Sequence, residues 1–288
     1  MHAKKIRLYR DVDFLSSIYP YRNYKNIGSL RKAADYIEEE FKKNGFLISR
    51  QEWEAKGNTY QNIIASYQPD KKQRFIVGAH YDVYKDQPGA DDNASAVAGL
   101  LEITRLLAEN QLELPYGIDF VAFCLEEPPF FRTKKMGSYI HAKSLHDQNQ
   151  EVIGMIALEM IGYFGDKSKK ETDREENRVP LPTDSNYLIV SGIRRFKSFN
   201  DRIAALLRKN GLLNVRAVSY VDDYPNNAPS DHRNYWKFDI PAVMILGTAR
   251  GGNPHYHKIT DTIDTLDFDV MAEAVTDCAY AVFNYLVV

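Results

Sequence analysis

Cysteine is scarce: the 288 residues hold two, Cys124 and Cys278. Two cysteines do not make a disulfide framework, so a buried core has to hold the chain together. No apolar run approaches the roughly 20 residues that a membrane-spanning helix needs. The amino terminus, Met1-His2-Ala3-Lys4-Lys5-Ile6-Arg7, is basic, but no apolar leader stretch follows it. The chain as it stands therefore reads as cytoplasmic, or as secreted or periplasmic if a leader has been removed. Excess positive charge is missing as well, since 37 Lys and Arg face 39 Asp and Glu for a net −2. Polyanions get no bulk attraction from that balance, which argues against a nucleic-acid partner. Internal repeats are also absent.

What remains is ordinary globular material, 44% hydrophobic and 26% charged. Short apolar runs read as strands: Asn62 to Tyr67, Phe75 to Ala79, Ile118 to Leu125, Val152 to Leu158, Tyr187 to Ser191 and Ala242 to Leu246. Three are nearly continuous in apolar residues, as strands covered on both faces are. Helical spacing lies between them. Leu30, Ala34, Ile37 and Phe41 share a face that Gly45 ends, and Val97, Leu100, Leu101, Thr104 and Leu107 repeat the pattern. So do Ile203, Leu206 and Leu207 before Gly211, and a last helix is expected from about Val270 to Tyr285. Strands alternating with helices predict an α/β fold: one domain over 1–288, with a mostly parallel central sheet flanked by helices. The charged stretch 166–184 reads as a solvated loop insertion.

Acids and histidines fall where such a sheet builds its sites. The run ending at Ala79 leads into His80, the run ending at Leu125 into Glu126-Glu127, and the run ending at Leu158 into Glu159. Open parallel sheets place ligands at the carboxyl ends of their strands. A carboxylate pair after a buried strand is costly unless a cation neutralises it. Pro88-Gly89-Ala90-Asp91-Asp92-Asn93-Ala94-Ser95 precedes the Val97 helix, where a helix cap and a ligand are equally good local readings. Pro254-His255-Tyr256-His257-Lys258 forms a third cluster, followed by Thr260-Asp261-Thr262. Singly, each has a bland explanation: a hydrogen-bonded histidine, a solvated helix start, a cap. His2, His141 and His146 are expected to be solvated, and Cys124 to be buried packing.

In order and spacing, Gly78-Ala79-His80-Tyr81-Asp82, Pro88 to Ser95, Glu126-Glu127, Leu158-Glu159-Met160 and Tyr256-His257 resemble the M28 family of zinc peptidases. That family includes bacterial aminopeptidases and, as relatives, the glutaminyl cyclases. The likeness runs from about Gly28 to the carboxyl terminus. It implies a zinc-aminopeptidase-like, phosphorylase/hydrolase-type fold with Asp92 bridging two zinc ions. His80 and Glu159 would complete one ion's ligands, and Glu127 and His257 the other's. Glu126 would be the general base, Asp82 would orient His80, and Tyr256 would hydrogen-bond the oxyanion or only pack. Ser230-Asp231-His232 resembles a family segment around the ligands, with Asp231 behind them. The Asp92-Asn93 peptide would be cis, as is frequent in the family.

Two departures bear on substrate. Glu159 stands where the aminopeptidases usually carry aspartate and the cyclases glutamate. Pro128-Pro129-Phe130-Phe131-Arg132-Thr133 is inserted after the glutamate pair and would shape the pocket rim. Met160, Tyr163, Phe164 and Tyr224 are candidates for a side-chain pocket, or for plain packing. The leading expectation is a two-zinc aminopeptidase acting on the amino-terminal bond of a peptide. The alternative is a cyclase-like aminoacyltransferase with one zinc, and a non-catalytic binding module comes last. Nothing here fixes the oligomeric state.

Overall fold

The structure is a computed structural model describing residues 1–165, 186–222, 229–247 and 253–286. The charged stretch 166–184 and Tyr224 lie outside the described residues. In chain order the elements are α1 (Lys5–Ser16), α2 (Ile27–Lys43), β1 (Leu47–Ala55), β2 (Asn58–Tyr67), β3 (Gln73–His80), α3 (Ala96–Asn110) and β4 (Gly117–Phe123). Then come α4 (Gly137–Asp147), β5 (Glu151–Glu159), β6 (Tyr187–Ile193), α5 (Lys197–Asn210), β7 (Asn214–Tyr220), α6 (His232–Trp236), β8 (Ala242–Leu246) and α7 (Phe268–Phe283).

Among the described residues, these strands join one sheet in the order β1-β2-β4-β3-β5-β8-β6-β7. Its centre, β4-β3-β5-β8, is parallel throughout, as the strand–helix alternation predicts. Antiparallel pairing is confined to β1-β2-β4 on one side and to β6-β8 on the other. The first comes from a hairpin: Lys56 and Gly57 connect β1 to β2, both at positive φ (45° and 75°), the conformation a two-residue hairpin turn requires.

The central strands are apolar at successive positions because both faces are covered. Phe75, Val77 and Ala79 of β3 pack with Ile118, Phe120 and Ala122 of β4 in a core that includes α1, α2, α3, α5 and α7. Ile76, Val121, Phe123, Met155 and Ala157 point the other way, into a smaller core closed by Ala142 and Leu145 of α4 and Tyr235 of α6. Strand periodicity of two assigns alternate residues to the two cores.

Helix α1 is an element that the apolar spacing does not predict. Leu8, Asp11, Val12 and Leu15 form its buried face. Asp11 is fully buried there because Arg105 of α3 reaches it at 2.5 Å, and the same guanidinium pairs with Glu40 of α2. His141 of α4 is another correction. It is buried rather than solvated, with Nδ1 2.7 Å from the Tyr235 hydroxyl. His2 and His146 are exposed as expected.

Candidate metal centre

The carboxyl edge of the parallel strands carries the site. His80 is the last residue of β3 and Glu159 the last of β5, while Glu126-Glu127 follow β4 after a left-handed Leu125 at φ 64°. Asp92 lies in a kinked, non-helical stretch of the turn Ala90–Ser95 that feeds α3, at φ −103° and ψ 88°. Gly89 opens this turn at φ 61°, and a Cβ there would collide with the Asp92 carbonyl. His257 comes from the loop between β8 and α7, also left-handed at φ 57°. The Asp92-Asn93 peptide is cis.

Asp92 lies between the two histidines and uses a different oxygen for each. Its Oδ1 is 3.5 Å from His80 Nε2, and its Oδ2 is 3.1 Å from His257 Nε2. Glu159 Oε1 stands 3.5 Å from His80 Nε2, and Glu127 Oε1 stands 3.3 Å from His257 Nε2. Five side chains thus sort into two donor sets with one shared carboxylate. Donor atoms of His80, Asp92 and Glu127 all lie within 4.8 Å of one another. Glu126 is beside them, with Oε2 3.9 Å from His80 Nε2. Its Oε1 is buried and has no hydrogen-bond partner among the described residues.

Charge tests whether a metal fits. Four buried carboxylates, Asp92, Glu126, Glu127 and Glu159, face the imidazoles of His80 and His257. Burial, reinforced by the charge of Asp92, pushes the Glu127 carboxyl up to about 8. Burial likewise drives Glu126 well above the usual carboxylate range, with Glu127, Asp231 and Glu159 adding to it against the pull of His80. His257 moves to about 10 despite burial, which opposes its charge, because Asp92 and Glu127 bind the imidazolium. The cluster is short of positive charge, and imidazole plus carboxylate donors suit a divalent cation such as zinc.

Behind the donors, a frame of side chains fixes the backbone. Asp261 Oδ1 and Oδ2 accept the N–H groups of Asp91 and Asp92 at 2.9 and 3.0 Å. Neither Asp91 nor Asp92 caps α3, whose first residue follows Ser95. Asp91 instead accepts from Gly162, Tyr163 and Asn253. Asn93 donates to the Leu158 carbonyl and accepts from Met160 N–H, bracketing Glu159. Ser230 donates to Glu159 Oε2 at 2.6 Å. Arg22 is fully buried and donates to the carbonyls of Leu15, Tyr81, Pro88 and Gly89, tying the His80 and Asp92 loops together.

Asp82 meets His80 through its backbone. Its carboxylate oxygen is 3.7 Å from His80 Nδ1, too far for a hydrogen bond, and its backbone carbonyl meets that nitrogen at 3.1 Å. The carboxylate accepts the N–H groups of Glu126 and Glu127 instead. Asp231 is buried, and burial pushes its carboxyl up to about 7 against the charge of His80. Tyr256 stacks on His257 at 3.8 Å, and Tyr84 stacks on the same imidazole at 4.1 Å. Two near-parallel rings that close must lie on opposite faces, so the imidazole is held between them. Tyr256 also lines the cavity above the donors, together with Met160, Pro229, Met244 and Leu246. Phe164 is buried packing, and Tyr163 stands edge-on to His255, whose Nδ1 is 3.0 Å from the Thr260 hydroxyl and away from the donors. Cys124 is buried.

Nothing in the sequence marks Arg22 or Tyr84 as a contributor, Ser230 shows there only within the Ser230-Asp231-His232 segment, and Asp261 only as part of a polar loop. The nearest available signal for Asp261 is its place four residues beyond His257.

An open α/β sheet with buried imidazole and carboxylate donors along its carboxyl edge is the build of a metallohydrolase. Residues 62–282 match the profile of Peptidase family M28, and the chain belongs to that family. It is 39% identical to an Escherichia coli K12 protein described as "Uncharacterized protein YfbL", over 98% of this chain and 89% of that one. Leucine aminopeptidase 1 of Emericella nidulans is 26% identical over 74% of this chain, and the match spans 52% of that longer relative. In fold, the Legionella pneumophila LapA aminopeptidase superposes with a TM-score of 0.78 at 18% identity, covering 97% of this chain and 71% of that one. A Bacteroides thetaiotaomicron glutaminyl cyclase gives 0.76 at 21% identity, covering 99% of both chains. These last two likenesses concern the fold alone.

Proposed function

We propose that the protein is a zinc aminopeptidase that hydrolyses the amino-terminal bond of a peptide. The observation that carries this reading is Asp92, whose two oxygens address two separate donor sets, His80 with Glu159 and His257 with Glu127. A single-ion site has no use for that symmetry, which favours two ions and peptide hydrolysis over the one-zinc cyclase reading. The aminopeptidase relative supports the same reaction.

Zinc, when bound, supplies a Lewis acid that acidifies water and polarises a carbonyl. Glu126 takes the proton from the attacking water and returns it to the leaving amine. Its carboxylate stands beside both donor sets, with Oε2 3.9 Å from His80 Nε2, where a proton can pass between the water and the amine. The acidic surroundings of the donors suit the substrate's free ammonium group. Tyr256, beside His257 on the cavity wall, donates a hydrogen bond to the oxygen that gains charge.

The test is zinc content per chain, measured with hydrolysis of a panel of aminoacyl amides. Two ions and chelator-sensitive amine release are expected. One ion, no hydrolysis, and ring closure of an amino-terminal glutamine would transfer the protein to the cyclase reading. No turnover of either kind would leave a binding module.

A further inference from the structure

The two imidazoles of the site are held in different ways. His80 Nδ1 meets the Asp82 carbonyl at 3.1 Å and the side chain is 1% exposed, so a hydrogen bond and close packing fix that ring. His257 has neither. Its side chain is 24% exposed and its backbone is left-handed at φ 57°. Its Nε2 faces Asp92 and Glu127, and among the described residues no hydrogen bond reaches its Nδ1. A ligating histidine ordinarily gives its second ring nitrogen to a carbonyl or carboxylate, which sets the direction of the first. Another contact has to orient this ring.

Stacking supplies it. Tyr84 lies against His257 with centroids 4.1 Å apart and planes 14° from parallel. Tyr256 covers the opposite face at 3.8 Å and 19°. Rotation about the Cβ–Cγ bond would turn the imidazole out of its plane and swing Nε2 away from Asp92 and Glu127, and two close faces block that rotation. The tyrosines are not equivalent, however. Tyr256 is the chain neighbour of His257 and moves with the same loop. Tyr84 comes from the segment after β3, and the backbone is tied down on both sides of it. Val83 N–H donates to the Arg22 carbonyl at 3.2 Å, and Asn23 Nδ2 donates to the Lys85 carbonyl at 2.7 Å. Tyr84 is therefore the fixed wall against which the loop sets its histidine.

We propose that Tyr84 is the positioning residue of His257. Its ring face does for this imidazole what the Asp82 carbonyl does for His80, and the metal affinity of the His257–Glu127 set depends on it. The inference rests on the reading that both donor sets take zinc, and it concerns the ring of Tyr84 and not its hydroxyl.

Tyr84→Leu removes the ring and Tyr84→Phe keeps it. Zinc titration against a chromogenic chelator should show one of two zinc constants weakened by about 10-fold or more in Tyr84→Leu, with the other unchanged, the scale for a group behind a ligand. Tyr84→Phe should match wild type. Nitrogen NMR of 15N-histidine protein assigns the weakened site. At the lowest zinc level that saturates wild type, the ring signal missing from His257→Asn protein should be the one that stays unshifted in Tyr84→Leu. Unchanged constants, equal loss at both sites, or a Tyr84→Phe variant as weak as Tyr84→Leu overturns the proposal. Motion of the His257 ring in metal-free protein, from 13C relaxation of labelled histidine, keeps the test independent of the number of ions. If wild type holds one zinc or none, the two-ion reading falls. Greater His257 ring motion in Tyr84→Leu, but not in Tyr84→Phe, then still upholds the positioning role, and equal motion in all three proteins overturns it.

Discussion

Asp261 accepts the consecutive backbone N–H groups of Asp91 and Asp92 at 2.9 and 3.0 Å, and Asp82 does the same for Glu126 and Glu127 at 3.0 and 3.1 Å. Each aspartate commits both oxygens to a turn, and one side chain of that turn, Asp92 or Glu127, joins the donor cluster. An oxygen that satisfies a backbone donor also removes a buried polar group that would otherwise have to find a partner near the metal.

Asp261→Asn should therefore weaken metal binding without removing a ligand. The amide keeps one acceptor and turns an NH2 toward the second backbone N–H, so the Asp91–Asp92 turn loses one hydrogen bond and gains a donor clash. A loss of about 10- to 100-fold in zinc affinity is expected, the scale seen when a group behind a ligand is changed. Competition against a chromogenic chelator measures it. Wild-type affinity in the variant would mean that the turn holds without this aspartate.

Glu126→Gln separates proton transfer from binding. The amide is nearly isosteric, and Glu126 is not one of the five side chains in the two donor sets. Zinc content and thermal unfolding should stay close to wild type, while hydrolysis falls by about 100-fold or more. Near-normal kcat would remove Glu126 as the base.

Much of the site is legible in the sequence, for a physical reason. His80, Glu126-Glu127 and Glu159 each terminate or follow a buried strand, and a charged group there breaks an otherwise apolar run, so it stands out. What is not legible lacks that contrast. Strand β1 is mostly exposed and polar along its length, and only the Lys56-Gly57 turn marks the hairpin. Arg22 looks like any basic loop residue, since nothing local shows that its donors end on the carbonyls of distant loops. The spacing of Asp82 from His80 does not show that the backbone carbonyl, 3.1 Å away, is what hydrogen-bonds the imidazole, with the carboxylate at 3.7 Å. Helix α1 hides because its buried face includes Asp11, whose partner Arg105 is 94 residues away.

That pairing carries its own prediction. Arg105 is the buried cation shared by Asp11 and Glu40 at the junction of α1, α2 and α3, and the more exposed Arg10 reaches both carboxylates from outside. Arg105→Met leaves two buried carboxylates with only the more exposed Arg10 and, for Glu40, Lys43 as counter-charge, and the folded state should lose up to about 3 kcal/mol. Urea unfolding of the zinc-loaded protein reads the loss. Adding Asp11→Asn and Glu40→Gln to the Met variant should recover part of it, because the loss of buried counter-charge and not the missing contact is the main penalty. No recovery would assign the cost to packing.

His141 makes the protein's stability depend on pH through a group that belongs to neither donor set. Burial holds its imidazole neutral, down to about 4 from an ordinary 6.5, with Asp119 pulling weakly the other way. The unfolded chain therefore binds a proton below about 6.5 that the native state refuses until about 4. Since the unfolded state binds more protons in that window, stability rises with pH across it: the contribution is complete above 6.5 and is lost as the pH falls toward 4. A shift of this size corresponds to about 3 kcal/mol. Other groups titrate in the same range, so the quantity to measure is the difference between wild type and His141→Asn in urea unfolding at a series of pH values. At neutral pH the variant should be the less stable, having lost the ring and its contact with Tyr235. Toward pH of about 4.5 that gap should narrow by an amount approaching this figure, because the substituted amide has no proton to accept in the unfolded chain. A gap that stays constant with pH would mean that His141 ionises as easily inside the protein as outside it, and that its burial does not hold it neutral.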